Sequence, residues 1–223
     1  MSDALVDDAP VDDALVVVDM QEYFCRPDSA LARLVAALGG IAGDGWYYAT
    51  LADTVVPNIG CFLADFRSRR RPVLFTEFGS RTPSGDDLPG WARRHNAMAV
   101  ALVGERCYPP LTDPSARIIA ELAPVPTDRV VQKATSGPLA GTSIDHELRS
   151  LGVRRVVVTG VATDVCVTGM ARELADSDFD TIVVRDACAT PSRASHEAAL
   201  LSIATFSEIA DTADVLDPAG ASG

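Results

Sequence analysis

A carboxylate, an amine and a thiol stand in comparable places along this chain. Asp19 closes the β-branched run Ala14-Leu15-Val16-Val17-Val18, and Lys133 closes Arg129-Val130-Val131-Gln132. Gly160 closes Val156-Val157-Val158-Thr159, and Cys166 follows in the first turns of the next helical stretch. In open parallel sheets ligands bind outside the carboxyl ends of the strands. Topology would therefore bring the three groups to one sheet edge. A thiol is a good nucleophile only once deprotonated, and a free cysteine titrates near about pH 8.5. A helix N-terminus and a nearby ammonium both favour the thiolate. A carboxylate can take the thiol proton and hand it to a leaving amine. Taken singly, each residue has a plainer account: a turn former, an edge charge, a small buried hydrophobe. The coincidence of all three at matching strand ends sets the pattern apart.

The elements that must hold these residues are legible as an alternation. The runs at 14–19, 72–76, 129–133, 156–160 and 181–186 are short, continuous and β-branched, the pattern of parallel strands buried on both faces. A weaker sixth lies near 206–210. Apolar stripes at helical spacing fall between them: Val55 to Phe66, Ile118 to Leu122 after Asp113-Pro114, Ile144 to Leu151 after Thr142 or Ser143, Val165 to Leu174, and Ala194 to Ile203. Strands alternating with helices predict βαβ units around one parallel sheet. Residues 78–110, rich in Gly and Pro, break the repeat and read as a lid or as an irregular surface excursion.

With 223 residues the chain suits one α/β domain. We place it at 14–216, between an acidic flexible tail at 1–13 and a flexible C-terminal tail at 217–223. The net charge of −12 argues against nucleic acid as a partner. No apolar run reaches the ~18 residues of a membrane span. The N-terminus is acidic where a secretory leader is basic. Five cysteines, an odd number without CxxC spacing, argue against a disulfide framework or a structural zinc and for a reducing cytoplasm. Gly39 to Gly45 is glycine-rich but follows a helical stretch, so it reads as a loop, not a dinucleotide fingerprint.

Three motifs carry a resemblance. Gly160-Val161-Ala162-Thr163-Asp164-Val165-Cys166-Val167 resembles the nucleophile segment of the isochorismatase-like cysteine hydrolase superfamily. Val17-Val18-Asp19-Met20-Gln21 resembles its aspartate segment, and Lys133 followed by Thr142 its lysine segment. The resemblance runs from about 14 to 210. It implies a three-layer α/β/α fold with a six-stranded parallel, Rossmann-like sheet, and an Asp19–Lys133–Cys166 triad. It also implies a cis peptide between Val161 and Ala162, turning the Ala162 N–H inward to form an oxyanion hole with that of Cys166. Relatives are commonly dimers or tetramers, which implies a homodimer or homotetramer here.

Within the superfamily, the nucleophile segment is closest to the ureidoacrylate, biuret and N-carbamoylsarcosine amidohydrolase branch. A small amide or ureide is the implied partner. Metal-binding nicotinamidases carry an Asp and a His where Phe78 and Ser80 stand, and His95, His146 and His196 lack metal spacing. No metal or other cofactor is expected. Gln21, Tyr23, Val161, Thr163, Trp91 and Leu139 are candidate substrate contacts, with the arginines of 78–110 as possible partners of a carboxylate. The alternatives are a nicotinamidase-like activity, a vinyl ether hydrolase that does not need the thiol, and a silent binding protein of the same fold. Slow alkylation of Cys166 at neutral pH would favour the last.

Overall fold

The computed structural model describes residues 12–39 and 45–217. The expected tails, apart from Asp12, Asp13 and Asp217, and most of the glycine-rich loop lie outside the described residues. Asp12 and Asp13 are fixed: Asp13 opens the first strand and pairs with Arg71 at 2.9 Å, and Asp12 pairs with Arg154 at 2.8 Å.

Six strands form one parallel sheet: β1 Asp13–Val18, β2 Val73–Phe78, β3 Arg129–Lys133, β4 Arg155–Val161, β5 Asp180–Ala189 and β6 Glu208–Ala210. Their order is β3-β2-β1-β4-β5-β6, every pair parallel. The order reverses between β1 and β4, the place where an open α/β sheet leaves a crevice. The strands are the β-branched runs because both faces are covered. In β1, Leu15 and Val17 join one core layer while Ala14, Val16 and Val18 join the other.

The helices are α1 Glu22–Cys25, α2 Ala30–Ala37, α3 Trp46–Thr50, α4 Val56–Ser68, α5 Gly90–Val103, α6 Ile144–Ser150, α7 Thr168–Asp176, α8 Arg193–Ile203 and α9 Thr212–Leu216. On one face α4 buries Ile59, Phe62, Leu63 and Phe66. On the other, α6, α7 and α8 bury Leu148, Met170, Leu174 and Ile203. Each such side chain contributes about 1.5–3 kcal/mol. The result is the expected three-layer fold. Pro57 near the start of α4 has no N–H to donate. The helical path is continuous from α3 because Leu51–Val55 widens into a π turn, with Val56 N bonding Leu51 O.

Two expectations need correction. Residues 78–110 hold a 14-residue helix, α5, whose inward positions are Ala92, Asn96 and Ala99. Its buried stripe is small and partly polar, so apolar periodicity does not announce it. Ile118 to Leu122 is not a helix; the stretch has only short 3-10 turns, Pro114–Ala116 and Ala120–Leu122. Ile119 N instead bonds Met20 O at 2.9 Å, and Ile118 bridges Gln21, tying the segment to the chain after β1.

Gly160 brings β4 close against β1. Its φ is +107°, and a Cβ there would lie 2.2 Å from the Val18 carbonyl oxygen. The register between β4 and β5 shifts at the same point. Only glycine lets the last turn of β4 pass the end of β1, and that passage aims the segment leading to Cys166.

Candidate active site

The strand ends do bring Asp19, Lys133 and Cys166 together. Asp19 follows β1 in a left-handed conformation, φ +50°. Its N–H donates to the Thr76 carbonyl and to Thr76 Oγ1, each at 3.2 Å. Thr76 Oγ1 in turn donates to Asp19 Oδ1 at 2.6 Å. A threonine at the end of β2 thereby holds both the backbone and the carboxylate of a residue in an unusual conformation.

Lys133 Nζ donates to Asp19 Oδ2 at 2.6 Å, and both side chains are fully buried. Nζ also reaches the carbonyls of Thr135 at 3.1 Å and Ser136 at 3.4 Å, and lies 5.1 Å from the Phe78 ring centroid. Burial pulls the ammonium down, but the Asp19 carboxylate and Cys166 outweigh it and hold the lysine above its ordinary range. Nζ is thus a fixed cation with its donors committed.

Cys166 is 2% exposed and interacts with both Asp19 and Lys133. It sits in a π turn, Thr163–Val167, not in a regular first helical turn. Burial pushes its thiol well up; Lys133 opposes this, and Asp19 adds to it. Burial thus acts against the ammonium and holds the thiol above its ordinary range.

The peptide bond between Val161 and Ala162 is cis. The Ala162 carbonyl accepts the N–H groups of Val165 and Val167, both at 3.1 Å, which flank that of Cys166. Ala162 and Cys166 border a cavity of about 510 Å³. Its walls come from α2, from Tyr47 and Tyr48 of α3, and from a cluster in which Trp91 stacks on Phe78 at 5.8 Å with Tyr108 edge-on.

Among the expected contacts, Trp91 borders this cavity; Gln21, Tyr23, Val161, Thr163 and Leu139 do not. Gln21 is a clamp: Nε2 donates to the carbonyls of Phe78 at 3.1 Å and Ala116 at 2.6 Å, and Oε1 accepts the Phe78 N–H at 2.9 Å. Tyr23 Oη donates to the same Phe78 carbonyl at 2.7 Å. Val161 is buried as the last residue of β4. Thr163 Oγ1 pairs with His196 Nδ1 at 2.9 Å beneath the π turn. Leu139 packs on the opposite core layer, its N–H held by Glu173 at 2.7 Å. Arg81 binds the carbonyls of Gln132 and Gly141, and Arg93 those of Asp86 and Leu88, so neither turns to the cavity.

Sequence reading missed Thr76 and the α2 wall. Thr76 could have been found as the last-but-two residue of the strand beside β1; the wall had no chemical signature. Of the positions compared with metal ligands, Phe78 lies in the aromatic cluster and Ser80 bonds Thr82 and the Asp87 carboxylate. Among the described residues, no three His, Cys, Asp or Glu side chains are grouped to hold a metal ion.

The family model of the isochorismatase domain matches residues 13–214. The chain belongs to the isochorismatase domain family. This family member is 31% identical to a ureidoacrylate amidohydrolase of Pseudomonas syringae pv. syringae, over 95% of this chain and 86% of that one. A cysteine hydrolase from Pseudomonas syringae pv. phaseolicola superposes with TM-score 0.75 at 25% identity, covering 96% of this chain and 94% of that one. An N-carbamoylsarcosine amidase from Thermoplasma acidophilum shares the fold, with TM-score 0.63 at 21% identity over 90% and 96% of the two chains. No helix among the described residues is long and apolar enough to cross a membrane.

Proposed function

We propose that this isochorismatase-domain protein is a cysteine amidohydrolase. It cleaves a C–N bond of a small carbamoyl, ureido or linear amide substrate through a thioester and releases ammonia. The observation that carries the reading is the fully buried Asp19–Lys133 pair beside Cys166 at the edge of the cavity. The likeness to a ureidoacrylate amidohydrolase supports it.

Asp19 takes the proton of the Cys166 thiol as the thiolate attacks the substrate carbonyl. Lys133, unable to lose its charge cheaply, stabilises the ionised pair throughout. The oxyanion rests against the N–H groups of Ala162 and Cys166, where one donor is worth roughly 3 kcal/mol. Asp19 then passes the proton to the departing nitrogen, which leaves as ammonia. Water, deprotonated by Asp19, opens the thioester and frees the acid and the thiol. A thiol held above its ordinary range by burial suits this sequence, in which its proton passes directly to Asp19.

The same reading places the protein in the cytoplasm, as a homodimer or homotetramer without cofactor; the five cysteines are free. Ammonia release from amides and ureides, with Cys166→Ala alongside, tests the chemistry. Release should vanish in the variant while its circular dichroism stays unchanged. Undiminished hydrolysis by Cys166→Ala would remove the nucleophile and point to vinyl ether chemistry.

A further inference from the structure

Among the described residues, none lining this cavity is a fixed counter-ion for a substrate carboxylate. None of its described lining residues is Lys or Arg. The nearby Lys133 has its donors on Asp19, Thr135 and Ser136. His95 is the single lining side chain able to become cationic, and its Nδ1 faces the Tyr108 hydroxyl at 3.3 Å. Asp164 adds a carboxylate at the mouth, on a chain of net charge −12. The residues outside the described ones include no Lys, Arg or His. An anion entering here would lose hydration and meet Asp164, with the neutral hydroxyls of Thr190, Ser192 and Ser195 but no lining Lys or Arg to offset it.

What the cavity does offer is apolar surface. Leu31, Leu34, Val35 and Leu38 recur on one side of α2, the i, i+3, i+4, i+7 stripe that normally meets a core. Here all four line the cavity, Leu34 and Leu31 packing on the core as well. Leu38 is 55% exposed, so part of this surface has no protein partner among the described residues. Tyr47, Tyr48 and Trp91 continue the wall. A volume of about 510 Å³ falls within the roughly 300–1,000 Å³ of sites that enclose drug-sized ligands. A ureide of a few heavy atoms would leave most of that wall wet.

We infer that the substrate of this chain is an uncharged amide carrying an apolar arm that lies along α2, in contrast to a carboxylate-bearing ureide. The inference rests on the amidohydrolase reading and narrows its substrate class. Burying each methylene of the arm against this wall should raise kcat/KM about fourfold.

The test is kcat/KM for ammonia release from acetamide, butanamide, hexanamide and phenylacetamide, against succinamate and N-carbamoylglycine. Binding of hexanamide and succinamate to Cys166→Ala is followed in parallel by tryptophan fluorescence. The expected result is a rise from acetamide to hexanamide, with butanamide at least tenfold above succinamate. In Leu38→Arg, a cation on the α2 wall, the ratio should move at least tenfold towards succinamate. A flat series, or succinamate preferred, overturns the inference while the amidohydrolase reading stands. Absence of Cys166-dependent ammonia from every compound overturns that reading instead; the arm is then judged by binding, where equal affinity for hexanamide and succinamate overturns it. An unmoved ratio in Leu38→Arg overturns its placement along α2.

Discussion

Replacing Lys133 by Met leaves the Asp19 carboxylate fully buried with Thr76 and the Cys166 thiol as its remaining side-chain donors. Removing one partner of a buried ion pair costs about 3–5 kcal/mol, because the other charge is left without compensation. The carbonyls of Thr135 and Ser136 also lose a donor, which puts the loss towards the upper part of that range. Folded domains hold only about 5–15 kcal/mol in total, so Lys133→Met should remain folded but weakened. With a urea slope near 3 kcal/mol per molar for a chain of this size, the unfolding midpoint should fall by about 1.3–1.7 M. The double variant Asp19→Asn/Lys133→Met removes both charges, and its midpoint should return most of the way to wild type. Urea unfolding followed by far-UV circular dichroism at pH 7.5 measures all three. Neither variant should release ammonia, so stability and turnover separate. A single variant within about 1 kcal/mol of wild type, or a double variant no more stable than the single, would refute the argument that the buried charge pair dominates this site.

Thr76→Val removes the 2.6 Å bond to Asp19 Oδ1 and should cost about 1.5–3 kcal/mol in urea unfolding. It should lower kcat more than it changes KM, with Thr76→Ser restoring most of both; a KM effect alone would argue against a positioning role. Gly160→Ala sets a methyl 2.2 Å from Val18 O at φ +107°, and should abolish soluble expression or lower Tm by more than about 8 °C; a wild-type Tm would show that β1 and β4 can separate there. Burial pushes the thiols of Cys25 and Cys107 up to about 12, and raises those of Cys166 and Cys188 as well. Folded values above unfolded ones give stability that is complete below the unfolded thiol value of about 8.5 and lost as pH rises towards 12. The urea midpoint should therefore decline from about pH 8.5 upward, and a constant midpoint to pH 10.5 would contradict it.

The strands were readable because β1 and β4 are buried on both faces, which demands the unbroken β-branched runs that sequence displays. The same logic located Asp19, Lys133 and Cys166, since a strand's carboxyl end is a position along the chain. Helix α5 escaped notice because Ala92, Asn96 and Ala99 let it pack closely without a greasy stripe. The segment 113–122 misled in the opposite sense: Ile118, Ile119 and Leu122 have helical spacing, yet their backbone is engaged by Met20 and Gln21. Gln21 and Tyr23 are near Asp19 in sequence, but their partner is the backbone of Phe78, 57 and 55 residues away. Side-chain-to-backbone clamps of this kind leave no mark on residue type or spacing. The upward push on the Cys166 thiol was equally hidden, because it depends on how much water the fold removes.

The reversal of strand order at β1 and β4 has a consequence for how the molecule can be divided. Sheet order follows chain order in two blocks: β1, β2 and β3 on one side, β4, β5 and β6 on the other. The blocks meet along a single seam, from Asp13 opposite Arg155 to Val18 opposite Gly160. Asp19, Thr76 and Lys133 all belong to the first block and Cys166 to the second. Neither half carries both the proposed nucleophile and its proposed base, although the exposed turn around Gly141 joins them by one stretch of backbone. On the proposed mechanism, catalytic competence is therefore a property of the seam: it requires the two half-sheets to be zipped together, and turnover would report on their docking.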